Sequence, residues 1–177
     1  MEIVILSSDK LTDMNKANEP FEVIGRLIPS FMNEKWTYTE ELYEHPYMKA
    51  YPADGSDYSS YIDNPEKAIF LAYEKEECIG QIIVKKDWNK YAFIEDICVL
   101  QKGRGQGVGS ALIQRTIEWA KELRLSGLAL ETQDNNLLAC RFYAKCGFEI
   151  GAVNTMLYKN FEKPWSEEKA VFWYLRF

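Results

Sequence analysis

Histidine is almost missing from this chain: His45 is the only one among 177 residues. The four cysteines, Cys78, Cys98, Cys140 and Cys146, never stand in a Cys-x-x-Cys pair. A zinc centre therefore has no ligand set to draw on, and no metal is expected. The same thiols read as small buried apolar groups, not as a disulfide framework. His45, followed by Pro46, reads as a loop residue. Long apolar runs are also lacking: none approaches the about 20 residues that cross a bilayer. The opening Met1-Glu2-Ile3-Val4-Ile5-Leu6 has no basic segment ahead of it and reads as a first strand, so a cytoplasmic location is expected. Positive charge is in deficit, with 21 Lys and Arg against 27 Asp and Glu and a net charge of −6. That balance argues against nucleic acid and anionic membrane as partners and suits a small cationic one. No internal repeat or low-complexity tract occurs.

What is present is an ordinary globular composition, 47% apolar and 27% charged, in a length that fits one domain over residues 1–177 with one core. Period-2 runs place strands near 2–6, 68–74, 78–86, 91–100, 127–132, 149–158 and 170–176. Helical patterning is found near 21–33, 107–124 and 136–145. Residues 34–66, broken by Pro46, Pro52, Gly55 and Pro65, read as a short helix and a long loop. The order of elements predicts a mixed, mostly antiparallel α/β sheet flanked by helices. The apolar Val171-Phe172-Trp173-Tyr174-Leu175 end reads as a buried strand, with monomer and homodimer both open.

Glycine is scarce, yet three of the ten glycines fall within Gly105-Gln106-Gly107-Val108-Gly109, after the apolar run Ile97-Cys98-Val99-Leu100 and before the strongest helix. Glycine lets the backbone turn tightly and approach a ligand. The helix that follows presents unpaired N–H groups and partial positive charge, so strand, turn and helix together make a phosphate site. The spacing is not that of a dinucleotide fold: counting Gly-x-Gly-x-x-Gly from Gly103 or Gly105 puts Val108 or Ser110 at the third position. No Gly-Lys-Ser/Thr occurs either, which excludes a triphosphatase loop.

The remaining pattern, Arg-x-x-Gly-x-Gly at Arg104, Gly107 and Gly109, resembles the pyrophosphate turn of the GNAT superfamily of acetyl-coenzyme A-dependent N-acetyltransferases. A second segment, Asn136-Leu137-Leu138-Ala139-Cys140-Arg141-Phe142-Tyr143-Ala144-Lys145-Cys146-Gly147-Phe148, is similar to that family's second helix and turn. The resemblance implies a GNAT fold in which the strands near 91–100 and 127–132 run parallel and splay around the pantetheine arm. It implies that main-chain groups of Ile97 and Val99 hold the pantetheine and acetyl carbonyl. Arg104, Gly105, Gln106, Gly107, Val108, Gly109 and Ser110 would then cradle the pyrophosphate, and Asn136 would touch the cofactor. Cys98 would lie beside the cofactor cleft. Acetyl-coenzyme A is the implied co-substrate.

Acetyl transfer from a thioester needs a neutral amine, and an amine of pKa ~10 is about 99.9% protonated at pH 7. A carboxylate is the natural proton acceptor. Glu95 and Asp96 sit on the strand just ahead of the turn and are expected on opposite faces. Glu95 is preferred because Ile97 and Val99 share its face; a local salt bridge is the competing account of either acid. By resemblance Tyr143 discharges the departing thiolate, the other account being a core tyrosine. For Asn136 the alternative is a helix N-cap.

A narrower likeness covers roughly residues 18–177. Asn18 through Ser30, Trp36-Thr37-Tyr38-Thr39-Glu40-Glu41, Leu130 through Asn136 and Ala170 through Tyr174 are similar to streptothricin N-acetyltransferases. These acetylate an amine of the β-lysine portion of that antibiotic. Such a polycation suits carboxylates and aromatic faces. Glu34, Glu40, Glu41, Asp54, Asp57, Glu131 and Asp134 supply the first, and Trp36, Tyr38, Tyr143 and Trp173 the second. From these, Trp36, Tyr38, Glu131 and Asp134 are the expected substrate contacts. An acetyltransferase for another polyamine, aminoglycoside or protein amine stays open, as does a coenzyme A-binding module without catalysis.

Overall fold

The computed structural model describes residues 1–52 and 55–177. These form two compact units, Met1–Pro20 with Ala50–Leu128, and Phe21–Lys49 with Ala129–Phe177.

In the first unit, β1 (Glu2–Ile5), β4 (Lys67–Glu74), β5 (Glu77–Lys86) and β6 (Ala92–Val99) lie side by side in the order β1-β4-β5-β6, each pair antiparallel. β4 is buried along nearly its whole length, which is why it reads as a continuous apolar run. Its side chains alternate. Ile69, Leu71 and Tyr73 pack with Leu6, Cys78 and Ile83, closed over by Leu11, Tyr58, Tyr61 and Ile62. Phe70 carries the Arg115 guanidinium 4.7 Å above its ring. Arg115 belongs to α1 (Val108–Glu122), whose buried stripe is Val108, Leu112, Ile113, Thr116, Trp119 and Ala120. That helix lies so close to β5 that a Cβ on Gly80 would come within 3.1 Å of Val108 and 3.2 Å of Leu112.

The second unit holds a long hairpin, β2 (Phe21–Met32) and β3 (Lys35–Lys49), with α2 (Leu137–Lys145), β8 (Glu149–Asn154) and β9 (Ala170–Arg176). β7 (Gly127–Gln133) leads into it, and the strand order there is β7-β9-β8 with β8 and β9 antiparallel.

Three expectations need correction. Residues 21–33 form a strand, not a helix: Val23, Gly25 and Leu27 are the buried positions, a period of two. Pro29 inside a helix would have removed a donor and clashed with the preceding turn. Residues 35–49, read as helix and loop, are the partner strand, and His45 lies within it. The tip is Asn33-Glu34, with φ of 51° and 61°, a two-residue mirror-image turn. Glutamate is a poor residue for a left-handed position, so the turn carries little signature. The strand expected to reach 158 stops at Asn154, whose side chain accepts the Met156 N–H at 2.9 Å and starts a turn.

The hairpin register slips between Val23 and Gly25, and Gly25 there faces Leu42 so closely that a Cβ would sit 2.2 Å from the Glu41 carbonyl oxygen. Gly25→Ala is expected to destabilise the protein by about 1–3 kcal/mol through forced backbone displacement. A chemical-denaturation midpoint indistinguishable from wild type would contradict that close approach.

Candidate active site

The glycine turn takes shape from the residues around it. After β6 a single 3-10 turn, Gln101–Gly103, is followed by Gly105 and Gly107 with φ of 73° and 86°. Both values are costly for any side chain bearing a Cβ. Apart from their own chain neighbours, no atom of the described residues lies within 4 Å of where a Cβ would stand on either glycine, so the backbone borders open space. Gly107 is the N-cap of α1, and no side chain caps that helix. Its Ala111 N–H makes the first ladder bond, to the Gly107 carbonyl at 3.0 Å, which leaves the first-turn N–H groups to a ligand. Arg104 donates through Nε to the Val99 carbonyl at 3.0 Å, and Gln106 through Nε2 to the Lys102 carbonyl at 2.6 Å. The Arg104 fork is thus anchored at one nitrogen while the side chain stays exposed. A turn of this geometry could hold an anion. Val108 is buried in the core, while Gly109 and Ser110 are the next two residues of the first turn.

A cavity of about 580 Å³ lies beside the turn, lined by Lys16, Glu19, Glu77, Cys78, Leu100, Gln101 and Lys102. Its charges are already matched. Lys16 pairs with Asp13 at 2.5 Å, Lys102 with Glu77, and Glu19 accepts the Gln101 N–H at 2.6 Å. It offers no surplus positive charge to a phosphate.

Ile97 and Val99 lie on β6, paired with Ile82 and Gly80 of β5. Upstream, the register shifts so that Ile83 faces Asp96 while Val84 faces Ile94, leaving Glu95 as the extra residue of a bulge. The strict alternation on which the opposite-face expectation rests does not hold there. Glu95 accepts from Lys85 Nζ at 2.5 Å and from the Tyr61 hydroxyl at 2.5 Å, the local salt bridge. Asp96 accepts from Gln81 Nε2 at 2.8 Å, and Gln81 also accepts the Asn15 N–H at 2.8 Å. Cys98, largely buried, has its thiol pKa pushed up by desolvation and by the charge of Asp96, so it is not a poised nucleophile.

In the second unit, Asn136 is the N-cap of α2, its side chain accepting from the Ala139 N–H at 3.3 Å. Tyr143 is 7% exposed, with Phe148 and Trp173 rings at 5.9 Å and 6.3 Å. Trp36 and Tyr38 share one face of β3. Trp36 leans on Phe31 at 4.9 Å and Tyr38 meets Trp173 edge-on at 6.2 Å. Glu40, two residues on, makes a two-point bond with Arg141 of α2 at 2.9 and 2.5 Å. Asp134, 2% exposed, accepts the Lys169 main-chain N–H at 2.9 Å and is raised in pKa by burial, so this carboxylate serves the chain's own backbone. Asp54 lies outside the described residues. Glu34 and Asp57 stay solvent-exposed, and Glu41 pairs with Arg26 at 2.6 Å.

Glu131 is different. It is half-buried on β7, and burial raises its pKa, with the Glu168 charge adding to the rise and the Tyr158 hydroxyl and Lys49 opposing it. Tyr158 donates to Glu131 Oε1 at 2.5 Å. Beside it, Lys49 Nζ sits 2.7 Å from Glu168 Oε1, 3.4 Å from Asn135 Oδ1 and 4.2 Å from the Trp165 ring centre. Asn135 Nδ2 also donates to Glu168 Oε1 at 3.0 Å. Sequence reasoning missed Tyr158, Glu168, Lys49 and Trp165. None stands in a motif, and only Asn135, next to Asn136, had a neighbour to draw attention to it.

Among the described residues no helix is long and apolar enough to cross a membrane, and no group of three or more His, Cys, Asp or Glu could hold a metal ion.

The Lys49–Glu168 pair has only 7% and 6% of its two side chains exposed. Lys49→Met should cost about 3–5 kcal/mol by stranding a buried carboxylate, and Lys49→Met with Glu168→Leu should recover most of it. Urea unfolding of the three proteins checks this; a double variant no better than the single would refute it.

Residues 28–148 match the profile of the Acetyltransferase (GNAT) family. Streptothricin acetyltransferase A of Bacillus subtilis is 54% identical over 167 residues, 94% of this chain and 95% of its own length. Streptothricin acetyltransferase of Escherichia coli is 38% identical across 73% of this chain and 70% of its own. In three dimensions, a Bacillus anthracis chain described as a streptothricin acetyltransferase, crystallised with acetyl coenzyme A, superposes with a TM-score of 0.92 at 40% identity, over 99% of each chain.

Proposed function

The chain belongs to the GNAT family of acetyltransferases, and from that premise we propose that it moves an acetyl group from acetyl-coenzyme A to an amine of the β-lysine portion of streptothricin, inactivating the antibiotic. It is an acetyl-coenzyme A-dependent N-acetyltransferase with the GNAT fold. The observation that carries the substrate reading is the likeness to the B. subtilis enzyme, 54% identity across nearly the whole of both chains. We read residues 1–177 as one functional domain of a cytoplasmic enzyme that takes a small cationic amine and neither nucleic acid nor membrane.

The open, uncapped cradle fits a pyrophosphate: two left-handed glycines with empty space above them, then a helix N-terminus. In this reading the turn from Arg104 to Ser110 binds the pyrophosphate, main-chain groups of Ile97 and Val99 hold the pantetheine and acetyl carbonyl, and Asn136 adds a contact. The co-substrate supplies an activated thioester. The residues of the chain must remove a proton from the ammonium and return one to the departing thiolate. Tyr143 is assigned the second task, since a phenol of pKa ~10 lies within reach of a thiol near 8.5.

For the first task three carboxylates compete. Glu95 is already engaged by the Tyr61 hydroxyl and the Lys85 ammonium. Asp96 is occupied by Gln81. Glu131 has its proton affinity raised by burial, the property that brings a carboxylate closer to the pH of the reaction. We therefore assign proton acceptance to Glu131, with Trp36 and Tyr38 offering aromatic faces to the cationic substrate.

Free-thiol release from acetyl-coenzyme A, with streptothricin beside a lysine, polyamine and aminoglycoside panel, tests the substrate. Turnover confined to streptothricin is expected. Turnover of another amine alone would remove streptothricin, and none at all with the cofactor still bound would make the chain a binding module. Tyr143→Phe should lower kcat roughly tenfold or more; an unchanged kcat would take Tyr143 out of the mechanism. Gly107→Val should stay folded, losing about 1–2 kcal/mol to backbone strain. Its acetyl-coenzyme A affinity should fall at least about tenfold as the β-branched side chain fills the cradle. Calorimetric titration reads this directly, and wild-type affinity would place the cofactor elsewhere.

A further inference from the structure

The strap between β8 and β9, residues 155–169, lies outside every motif, yet it sends one side chain to the carboxylate on which the proposed chemistry turns. Glu131 and Gln133 stand two apart on β7 and so share a face. The Tyr158 hydroxyl meets both. It accepts from Gln133 Nε2 at 3.3 Å and donates to Glu131 Oε1 at 2.5 Å. A phenol has one hydrogen to give. With Gln133 supplying the amide donor, that hydrogen is directed at Glu131. The ring is steadied by Phe161, stacked at 6.0 Å and 29°.

We propose that Tyr158 is a positioning residue for acetyl transfer: its hydroxyl, oriented by Gln133, fixes the Glu131 carboxylate through one oxygen and keeps the other for the incoming ammonium. This inference rests on the assignment of proton acceptance to Glu131. Without the tyrosine the carboxylate is free to rotate, and the amine loses a preset acceptor. Charge is the second consequence. The groups that act on Glu131 are Tyr158 from the strap, Glu168 just before β9 and Lys49 at the end of β3. Burial and Glu168 push its proton affinity up, whereas Tyr158 and Lys49 bring it down. Lys49 is already committed to Glu168 at 2.7 Å. Tyr158 is therefore the partner that makes a direct hydrogen bond to Glu131 and favours its ionised form.

Tyr158→Phe keeps the ring and its stack on Phe161 and removes only the hydroxyl. Loss of a donor to the anion raises the Glu131 pKa, so the acidic limb of the pH profile of kcat/KM for streptothricin should move up by about one pH unit. The KM for acetyl-coenzyme A should stay within about twofold, because the pyrophosphate cradle is untouched. A titration independent of turnover accompanies it: the carboxyl carbon resonance of Glu131, identified by its loss in Glu131→Gln, should show the same upward shift in Tyr158→Phe. Three outcomes are separable. A shifted limb with a shifted resonance supports the inference. A limb abolished by Glu131→Gln but unmoved in Tyr158→Phe overturns the role of Tyr158 and leaves Glu131 as base. A limb that survives Glu131→Gln overturns both.

Discussion

A lysine ammonium almost sealed from water is the constraint on which the second unit depends. Lys49 ends the long hairpin, Asn135 ends the turn that leads into α2, and Glu168 lies near the end of the strap before β9. The three side chains meet, with Trp165 over the ammonium. Desolvating two charges costs several kcal/mol per ion, recovered only where geometry and supporting hydrogen bonds are good. One oxygen, Glu168 Oε2, has no hydrogen-bond partner among the described residues, so the pair is not fully satisfied there. Such a junction adds little net stability, but it penalises any arrangement in which one member moves away. Hairpin, turn and strap are thereby held in one relation, and both Asn136, next along the chain from Asn135, and Tyr158, on the strap, inherit their places from it.

The first unit solves a different problem with different means. The turn proposed to hold the pyrophosphate, Arg104 to Ser110, takes its form from the main chain. Backbone geometry does the work: two glycines in left-handed conformations, an uncapped helix N-terminus, and an arginine tethered through one nitrogen. No side chain of the N-cap residue caps the first-turn amides of that helix. That helix is kept in position by close packing against β5 at Gly80, where a side chain would force the two apart.

The acid-base side follows from burial more than from sequence position. Three carboxylates lie on β6 and β7, and their surroundings separate them. Glu95 accepts from a lysine and a tyrosine, and Asp96 is tied by an amide from a fully buried glutamine. Glu131 gains proton affinity from desolvation and a neighbouring glutamate, moderated by the Tyr158 phenol and the Lys49 charge. The bulge at Glu95 is the local reason that strand alternation misleads: one unpaired residue shifts the faces of those around it.

By itself the sequence determined what is local. The three-glycine turn between a strand and a helix, the Asn136-to-Phe148 segment and the period-2 strands of the first unit are contiguous, and each draws on dihedral preference or hydrophobic period within a few residues. These were enough to identify the fold family and the cofactor. Tertiary structure decided the rest. The hairpin was illegible because Val23, Ile24, Leu27 and Ile28 satisfy a helical period as well as a strand's, and its Asn-Glu turn lacks the usual glycine. The Glu168–Lys49 pair joins residues 119 positions apart, and Tyr158 reaches Glu131 across 27. No spacing rule links such residues. Their meeting, and the pKa shift that follows at Glu131, exist only once the chain has closed around them and excluded water.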